Sequence, residues 1–304
     1  MISACRNITL YGKSVSLYDD NFMFTGQSAS EVIFVGTGNV YDAKFIGKYP
    51  NLKVIASNTT GDSHIDTAYC KEHGIEVITL KNDDIRYELT AVAELTVGLI
   101  IALTRNLIPA INSVERGEWD RYPYGGKKML SDMSIGIVGR GRIGCMVNNV
   151  SYDFFKDVLL YDNSDEYKQC REIWGKPSYC NLEEVLRQDI VTVHIPVDGN
   201  EGLFDEKMFS KIKDGAYFIN TSRGEIVDEL ALVRALESGK LAGAATDVIS
   251  GEFEPGFNVK NSPLWHYAQA HDNLLICPHI GGSTEDSWEK TQIRIIEKVL
   301  EFLG

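Results

Sequence analysis

One glycine-rich turn in the middle of the chain, Val138-Gly139-Arg140-Gly141-Arg142-Ile143-Gly144, constrains the fold more than any other stretch. The G-x-G-x-x-G spacing alone is weak, because glycines gather in turns for steric reasons. Its surroundings make it specific. The apolar run "SIGIV" precedes it, a helix-like segment opens from it, and a second apolar run ends in Asp162, eighteen residues after Gly144. In such a strand-turn-helix-strand unit Gly139 permits the tight turn, Gly141 lets the backbone approach a pyrophosphate, and Gly144 lets helix and strand pack closely. The helix N-terminus offers unpaired N–H groups to the phosphates. Asp162, placed to reach a ribose diol, favours NAD over NADP by repelling a 2′-phosphate, while Arg140 and Arg142 leave room for some NADP tolerance.

The turn arrives late for a chain that begins with a dinucleotide fold, so a separate region is expected ahead of it. With 304 residues there is length for two domains. Before residue 90, apolar runs at 31–36, 51–58 and 75–80 alternate with helix-like segments; after Ser131 about six further alternations follow. Both regions therefore read as α/β with doubly wound parallel sheets. The most apolar segment, 91–103, is shorter than the roughly eighteen residues of a membrane span and contains Glu94, which marks a buried helix. Apolar spacing continues through Leu103, Leu107, Ile111 and Val114, so one long helix is expected to join the two regions. The final segment reads as a helix with Ser283 or Thr284 as its N-cap.

A formal net charge of −13 with no run of Lys and Arg argues against a nucleic-acid or anionic-membrane surface. The six cysteines, Cys5, Cys70, Cys145, Cys170, Cys180 and Cys277, have no C-x-x-C pair and no metal-ligand spacing. With no secretory leader visible, the expected compartment is the cytoplasm. Gly12-Lys13-Ser14 resembles the end of a P-loop, but Asn7 stands where that motif needs its first glycine, so this is an ordinary turn.

A dinucleotide site implies hydride transfer, and hydride transfer at a carbon bearing oxygen needs a proton-moving group and a cation. In open α/β sheets these lie beyond the carboxyl ends of strands. "NTSRGEIVDE" places Arg223 there, "TDVISGEFEP" places Asp247, Glu252 and Glu254, and "NLLICPHIGGST" places His279 before a Gly-Gly pair. His194 ends another apolar run and either lines the cofactor or is a satisfied buried group.

Together, "VGRGRIG", "NTSRGEIVDE", "TDVISGEFEP" and "PHIGGST", in this order and spacing, resemble the D-isomer-specific 2-hydroxyacid dehydrogenases, a family that includes D-3-phosphoglycerate dehydrogenase. "AELTVGLIIALTRN" is similar to that family's interdomain helix. The resemblance implies a discontinuous substrate domain, residues 1–100 plus 276–304, with the NAD-binding domain, 101–275, inserted between. It implies Arg223 as the clamp on substrate carboxylate and carbonyl, His279 as acid/base, and Glu252 as the hydrogen-bond partner that favours the imidazolium. It places Gly139, Gly141, Arg142, Ile143, Gly144, Asp162, His194, Pro196, Thr221, Ser222, Arg223, Asp247, His279 and Gly281 along the cofactor, and a homodimer paired through the cofactor lobes. The loop Asn58-Thr59-Thr60-Gly61-Asp62 departs from the family's Gly-x-Gly turn, so Thr59, Thr60 and Gly61 are expected to contact substrate differently. Leu95 stands where the family often has His, Arg140 replaces an apolar residue, and no appended regulatory module is expected after Gly304.

The implied reaction is the NAD-dependent interconversion of a D-2-hydroxy acid and its 2-oxo acid, with a small-molecule acid as the partner. Two alternatives stand beside it: a dinucleotide-sensing scaffold of the corepressor kind, and an enzyme for a substrate carrying phosphate or sugar. The latter would need basic residues such as Lys44, Lys48, Lys53 and Arg86 in the cleft.

Overall fold

The computed structural model describes residues 7–10, 23–24, 30–36, 39–62, 64–164, 172–173, 176–177 and 180–304. Cys5, Cys170 and the Gly12-Lys13-Ser14 turn lie outside them. The chain divides into two compact units: Met1–Leu89 with Phe253–Phe257 and Gly282–Gly304, and Thr90–Glu252 with Asn258–Gly281.

The first unit carries a five-stranded parallel sheet of β1 (Asn7–Leu10), β2 (Met23–Phe24), β3 (Val32–Val35), β4 (Val54–Ser57) and β5 (Glu76–Ile78), in the order β2-β1-β3-β4-β5. The alternation in the sequence yields β3, β4 and β5; β1 and β2 were not anticipated. β3 and β4 are buried along their whole length, as apolar strands covered on both faces must be. Helices α1 (Ala43–Ile46) and α2 (Thr67–Glu72) belong to this unit and start at Asp42 and Asp66, whose carboxylates accept N–H groups of the first turn.

The second unit holds a six-stranded parallel sheet of β6 (Ser134–Val138), β7 (Asp157–Tyr161), β10 (Ile190–Val193), β11 (Ala216–Asn220), β12 (Leu241–Thr246) and β13 (Leu274–Ile276), in the order β13-β12-β11-β10-β6-β7. A short antiparallel pair, β8 (Glu172–Ile173) and β9 (Lys176–Pro177), lies between β7 and β10 in sequence. Its helices are α3 (Ala91–Thr104), α4 (Leu107–Glu115), α5 (Arg142–Ser151), α6 (Leu182–Leu186), α7 (Glu206–Lys211), α8 (Glu229–Glu237) and α9 (Pro263–Ala268). Under one face Phe204, Phe209 and Phe218 pack with ring centroids 5.0–6.0 Å apart; such pairs add about 0.5–1.5 kcal/mol beyond area burial.

The units do not divide at the expected boundaries of 100/101 and 275/276, and packing explains why. Leu99, Ile100 and Leu103 of α3 join the core that contains Ile135, Ile137 and Ile219, so the whole helix belongs to the second unit. The chain remains there through Gly281, because residues 279–281 are hydrogen-bonded to Asp247. The final helix, α10 (Glu285–Leu303), belongs to the first unit. It starts at Thr284, buries Ile295, Ile296 and Val299 against β3 and β4, and fixes Asp83 with Arg294 at 3.0 Å.

The single long helix expected from 91 to 114 is two. α3 ends at Thr104, and Asn106 adopts a left-handed backbone (φ 50°) before α4 begins. Asparagine tolerates this conformation where most residues do not. The break changes the register of the apolar stripe: Leu103 is buried, while Leu107, Ile111 and Val114 are exposed.

α5 contains a local conflict. Its inner face carries Gly144, Val147, Asn148 and Ser151, and among the described residues neither polar atom of the Asn148 amide nor the Ser151 hydroxyl has a hydrogen-bond partner although both residues are fully buried. Each unmet buried group costs about 1–3 kcal/mol. Asn148→Leu keeps the volume and removes both polar atoms, so it is expected to raise the unfolding free energy by about 1 kcal/mol. Urea unfolding checks this; a lowered midpoint would show that the amide is satisfied in solution.

Candidate active site

The register of the six-stranded sheet assembles the candidate site. Tyr161 pairs with Val138, Val138 with Val193, Val193 with Asn220, Asn220 with Thr246, and Thr246 with Ile276. These residues form one row across the sheet, and the next residue of each strand leaves it on the same edge: Asp162, Gly139, His194, Thr221, Asp247 and Cys277. The strand order reverses between β6 and β10, where a doubly wound sheet opens its crevice. Gly139 and His194 stand at that point.

The residues at β6 fit a dinucleotide. Gly139 has φ 104°, and a Cβ there would lie 2.4 Å from His194 O. A Cβ on Gly144 would lie 1.9 Å from Gly139 O, so the helix can approach the turn only with glycine at that position. Gly141 caps α5 without a side-chain hydrogen bond, which leaves the N-terminus of this ten-residue helix open to an anion, with Arg142 and Ile143 in its first turn. Asp162 is held in place: Oδ2 accepts Arg140 N–H at 2.7 Å and Oδ1 accepts Ser164 N–H at 2.8 Å.

Across the crevice, His194 is buried, with Nε2 3.0 Å from Thr192 Oγ1 and, among the described residues, no partner at Nδ1. Burial pushes the imidazole down to about 3, so it is neutral. The following Pro196 is exposed.

The loop after β11 is organised by a residue not anticipated from sequence. Asn220, buried at the strand end, accepts the N–H and hydroxyl of Ser222 through Oδ1 and donates through Nδ2 to Arg223 O. The signal available was an asparagine closing the apolar run "AYFIN". Arg223 is half-buried and extended, with Nη1 2.7 Å from Ser222 O. The Thr221 hydroxyl is 2.8 Å from Thr96 Oγ1 on α3; Thr96 donates to Val92 O, so Thr221 is the donor of the pair. A Cβ on Gly224 would lie 2.1 Å from the Ile249 carbonyl carbon, so this loop lies flat on the one after β12. Glu225 and Glu229 accept the N–H groups of Gly251 and Ser250, joining the two loops just before Glu252.

Asp247 clamps the last loop. Its main-chain oxygen accepts His279 N–H at 2.9 Å, Oδ1 accepts Ile280 N–H at 2.8 Å, and Oδ2 accepts Gly281 N–H at 2.7 Å. Burial pushes this carboxyl upward, and the two N–H bonds oppose the shift. The clamp holds His279 at φ 53°, a strained position for a residue other than glycine or asparagine. His279 Nδ1 then stands 2.9 Å from Glu252 Oε1, both atoms being out of reach of solvent. The distance is that of a hydrogen bond, but the two atoms do not meet hydrogen-bond geometry; the contact is an ion pair when the imidazole is protonated. Nε2 is the ring nitrogen turned away from Glu252. The neighbouring acid Glu254 is exposed.

The arrangement thus gathers Arg223, Glu252, Asp247, His279 and Gly281 on adjoining loops at one edge of the second sheet. Thr59, Thr60 and Gly61 follow β4 in the first unit.

The buried His194 gives a measurable stability effect. Below its ordinary value of 6.5 the unfolded chain binds a proton that the folded chain refuses until about 3, so this contribution to stability is lost as pH falls. His194→Gln keeps a polar contact to Thr192 and removes up to about one proton from the slope of stability against pH in that window. Urea unfolding at stepped pH measures the slope; no change would mean that the folded imidazole already titrates.

Comparison with known proteins agrees with this geometry. Residues 97–281 match the family model for the D-isomer specific 2-hydroxyacid dehydrogenase NAD-binding domain. The chain is 35% identical over 263 residues to a D-specific alpha-keto acid dehydrogenase of Enterococcus faecium, covering 84% of this chain and 77% of that one. It is 36% identical over 256 residues to a glyoxylate reductase of Thermofilum pendens, covering 82% and 71%. Among solved structures, D-lactate dehydrogenase from Aquifex aeolicus, complexed with NAD and lactic acid, superposes with a TM-score of 0.80 at 27% identity, covering 98% of this chain and 95% of that one. The chain belongs to the D-isomer-specific 2-hydroxyacid dehydrogenases, NAD-dependent oxidoreductases that act on CH–OH donors.

Proposed function

We propose that the chain interconverts a D-2-hydroxy acid and its 2-oxo acid, with His279 as acid/base, Arg223 as the clamp on the substrate carboxylate and carbonyl, and Glu252 as the group that stabilises the charged imidazole. The observation that carries this reading is the His279–Glu252 contact of 2.9 Å, held on a strained backbone at the carboxyl edge of the sheet.

NAD, when bound, supplies or accepts the hydride. Arg223 grips a carboxylate through two parallel N–H bonds and fixes which carbon is presented. Glu252 lies 2.9 Å from Nδ1 of His279, so Nε2 is the ring nitrogen assigned to the substrate oxygen. In reduction, imidazolium donates its Nε2 proton to the oxygen of the former carbonyl as the carbon gains hydride. In oxidation, neutral His279 takes the hydroxyl proton as the carbon loses hydride. Asp247 and Asn220 contribute by holding the loops that carry His279 and Arg223. The Asp162 carboxylate at the end of β7 favours NADH over NADPH.

For assembly, the reading is a homodimer formed by the second unit. α4 exposes Leu107, Ile108, Ile111 and Val114, and Trp119, beyond its end, is 91% exposed. An apolar stripe of this kind on a soluble α/β unit fits a second copy of the same surface.

A panel of 2-oxo acids assayed by NADH and NADPH absorbance tests the reaction. Arg223→Ala and His279→Ala are each expected to lower turnover by about a hundred- to ten-thousandfold while NADH binding persists. Near-normal turnover in either would remove that residue from the mechanism. NADH binding with no turnover on any acid at high protein concentration would favour a sensing scaffold instead. Sedimentation of the wild type should give a dimer and that of Ile111→Glu/Val114→Glu a monomer; a wild-type monomer at micromolar concentration rules the assembly out.

A further inference from the structure

Glu252 reaches His279 from a turn that is weakly held by its own bonds. Val248 and Ile249 are buried, but Ser250 is exposed and Gly251 takes a left-handed backbone (φ 72°). The turn's internal bond, from Glu252 N–H to Ile249 O, is 3.3 Å long, outside the usual range of about 2.7–3.2 Å. The stronger hold comes from the neighbouring loop. Ser250 N–H donates to Glu229 Oε1 at 3.0 Å, and Gly251 N–H donates to Glu225 Oε1 at 3.1 Å. Two successive main-chain N–H groups are each met by a carboxylate, and a charged acceptor makes a bond about twice as strong as a neutral one. Water would satisfy the same N–H groups on an exposed turn without fixing their direction.

Both acids stand on fixed ground. Glu225 lies two residues beyond Arg223, in a short 3₁₀ turn (Gly224–Ile226) whose Ile226 is fully buried. The Glu225 carbonyl accepts Gly202 N–H at 2.8 Å, and the Ile226 carbonyl accepts Phe204 N–H at 3.0 Å. Glu229 opens α8, directly after the N-cap Asp228. Its second oxygen, Oε2, accepts the Ser262 hydroxyl at 2.7 Å, and the oxygen of that hydroxyl accepts Leu264 N–H at the start of α9. Every group in this set belongs to the second unit. Two carboxylates therefore join the Arg223 loop, the start of α9 and the turn before Glu252.

We propose that Glu225 and Glu229 are positioning residues that hold Glu252 against His279. This rests on the dehydrogenase reading above and goes beyond it by giving a role to two acids that exchange no proton with the substrate. With both acceptors in place the peptides at 250 and 251 point one way, and Glu252 Oε1 stands 2.9 Å from His279 Nδ1. Without the Glu225 carboxylate, Gly251 N–H turns to water, and the glycine, having no Cβ to restrict it, lets the turn pivot. Glu252 then samples positions away from the ring. A displacement of about 1 Å costs as much as about a hundredfold in rate, so the loss falls on the transfer step and not on cofactor binding.

The test uses Glu225→Ala, Glu229→Ala and the corresponding Gln variants, which keep an oxygen acceptor, together with Glu252→Gln and the double variant Glu225→Ala/Glu252→Gln. Single-turnover NADH oxidation is measured with the best 2-oxo acid of the panel, and NADH Kd by fluorescence titration. The His279 ¹³Cε1 signal, identified by its loss in His279→Ala, is followed by NMR in the NADH complex. Each Ala variant is expected to slow the single turnover by about three- to thirtyfold, with NADH Kd unchanged and with recovery by Gln. On top of Glu252→Gln, Glu225→Ala adds less than about twofold, because it acts through the group already altered. Glu225→Ala also moves the His279 signal in the same direction as Glu252→Gln. A wild-type rate in Glu225→Ala, a full further loss in the double variant, no recovery by Gln, or a His279 signal that only Glu252→Gln moves overturns the proposal. If Glu229→Ala does not fold, Glu225→Ala decides by the same criteria. A wild-type protein that turns over no 2-oxo acid refutes the dehydrogenase reading itself, and the His279 signal still decides whether Glu225 positions Glu252.

Discussion

Parallel pairing in one register is the constraint on which the second unit depends. Because all six strands run the same way and end on one row, from Tyr161 through Val138, Val193, Asn220 and Thr246 to Ile276, the loops that follow emerge on one edge. A one-residue slip of β12 against β11 would turn Asp247 from the loop it clamps to the opposite face of its strand. The strands beside it are covered on both faces: Ile190, Val191, Val193, Phe218 and Ile219 are all fully buried.

A second layer of polar residues converts that edge into a chemical arrangement. Asn220 and Asp247 are almost wholly buried, and both direct their side chains to main-chain groups of the loops beyond. They hold the main chain at Arg223 and at His279. The strain at His279 is tolerated because three hydrogen bonds from one aspartate hold it. In a chain of net charge −13 with no run of Lys and Arg, an anionic ligand has to be met locally, and the N-terminus of α5 offers N–H groups for this.

Much of this edge was legible in the sequence because glycines and strand ends leave local marks. Gly139 and Gly144 are required by contacts of 2.4 and 1.9 Å that no other residue permits, and each lies within a few residues of the strand it serves. The anticipated helix from 91 to 114 was misread because apolar spacing records which residues seek burial and not whether the backbone is continuous. The left-handed Asn106 interrupts it and turns Leu107, Ile111 and Val114 outward. β1 and β2 are too short to stand out as strands by pattern, and they become strands through pairing with β3 and with each other.

What the sequence determined alone was the alternation of strand and helix, the late phosphate turn with its acid at 162, and the residue types that hydride transfer requires. These are local, since each depends on side-chain size, φ freedom or charge within one strand and its loop. Tertiary structure decided the rest. Whether Glu252 reaches His279 and whether Asp247 holds the loop of residue 279 depend on the pairing and packing of elements. A hydrogen bond has an effective range of about 3 Å, and only the folded chain brings groups from separate loops within that range.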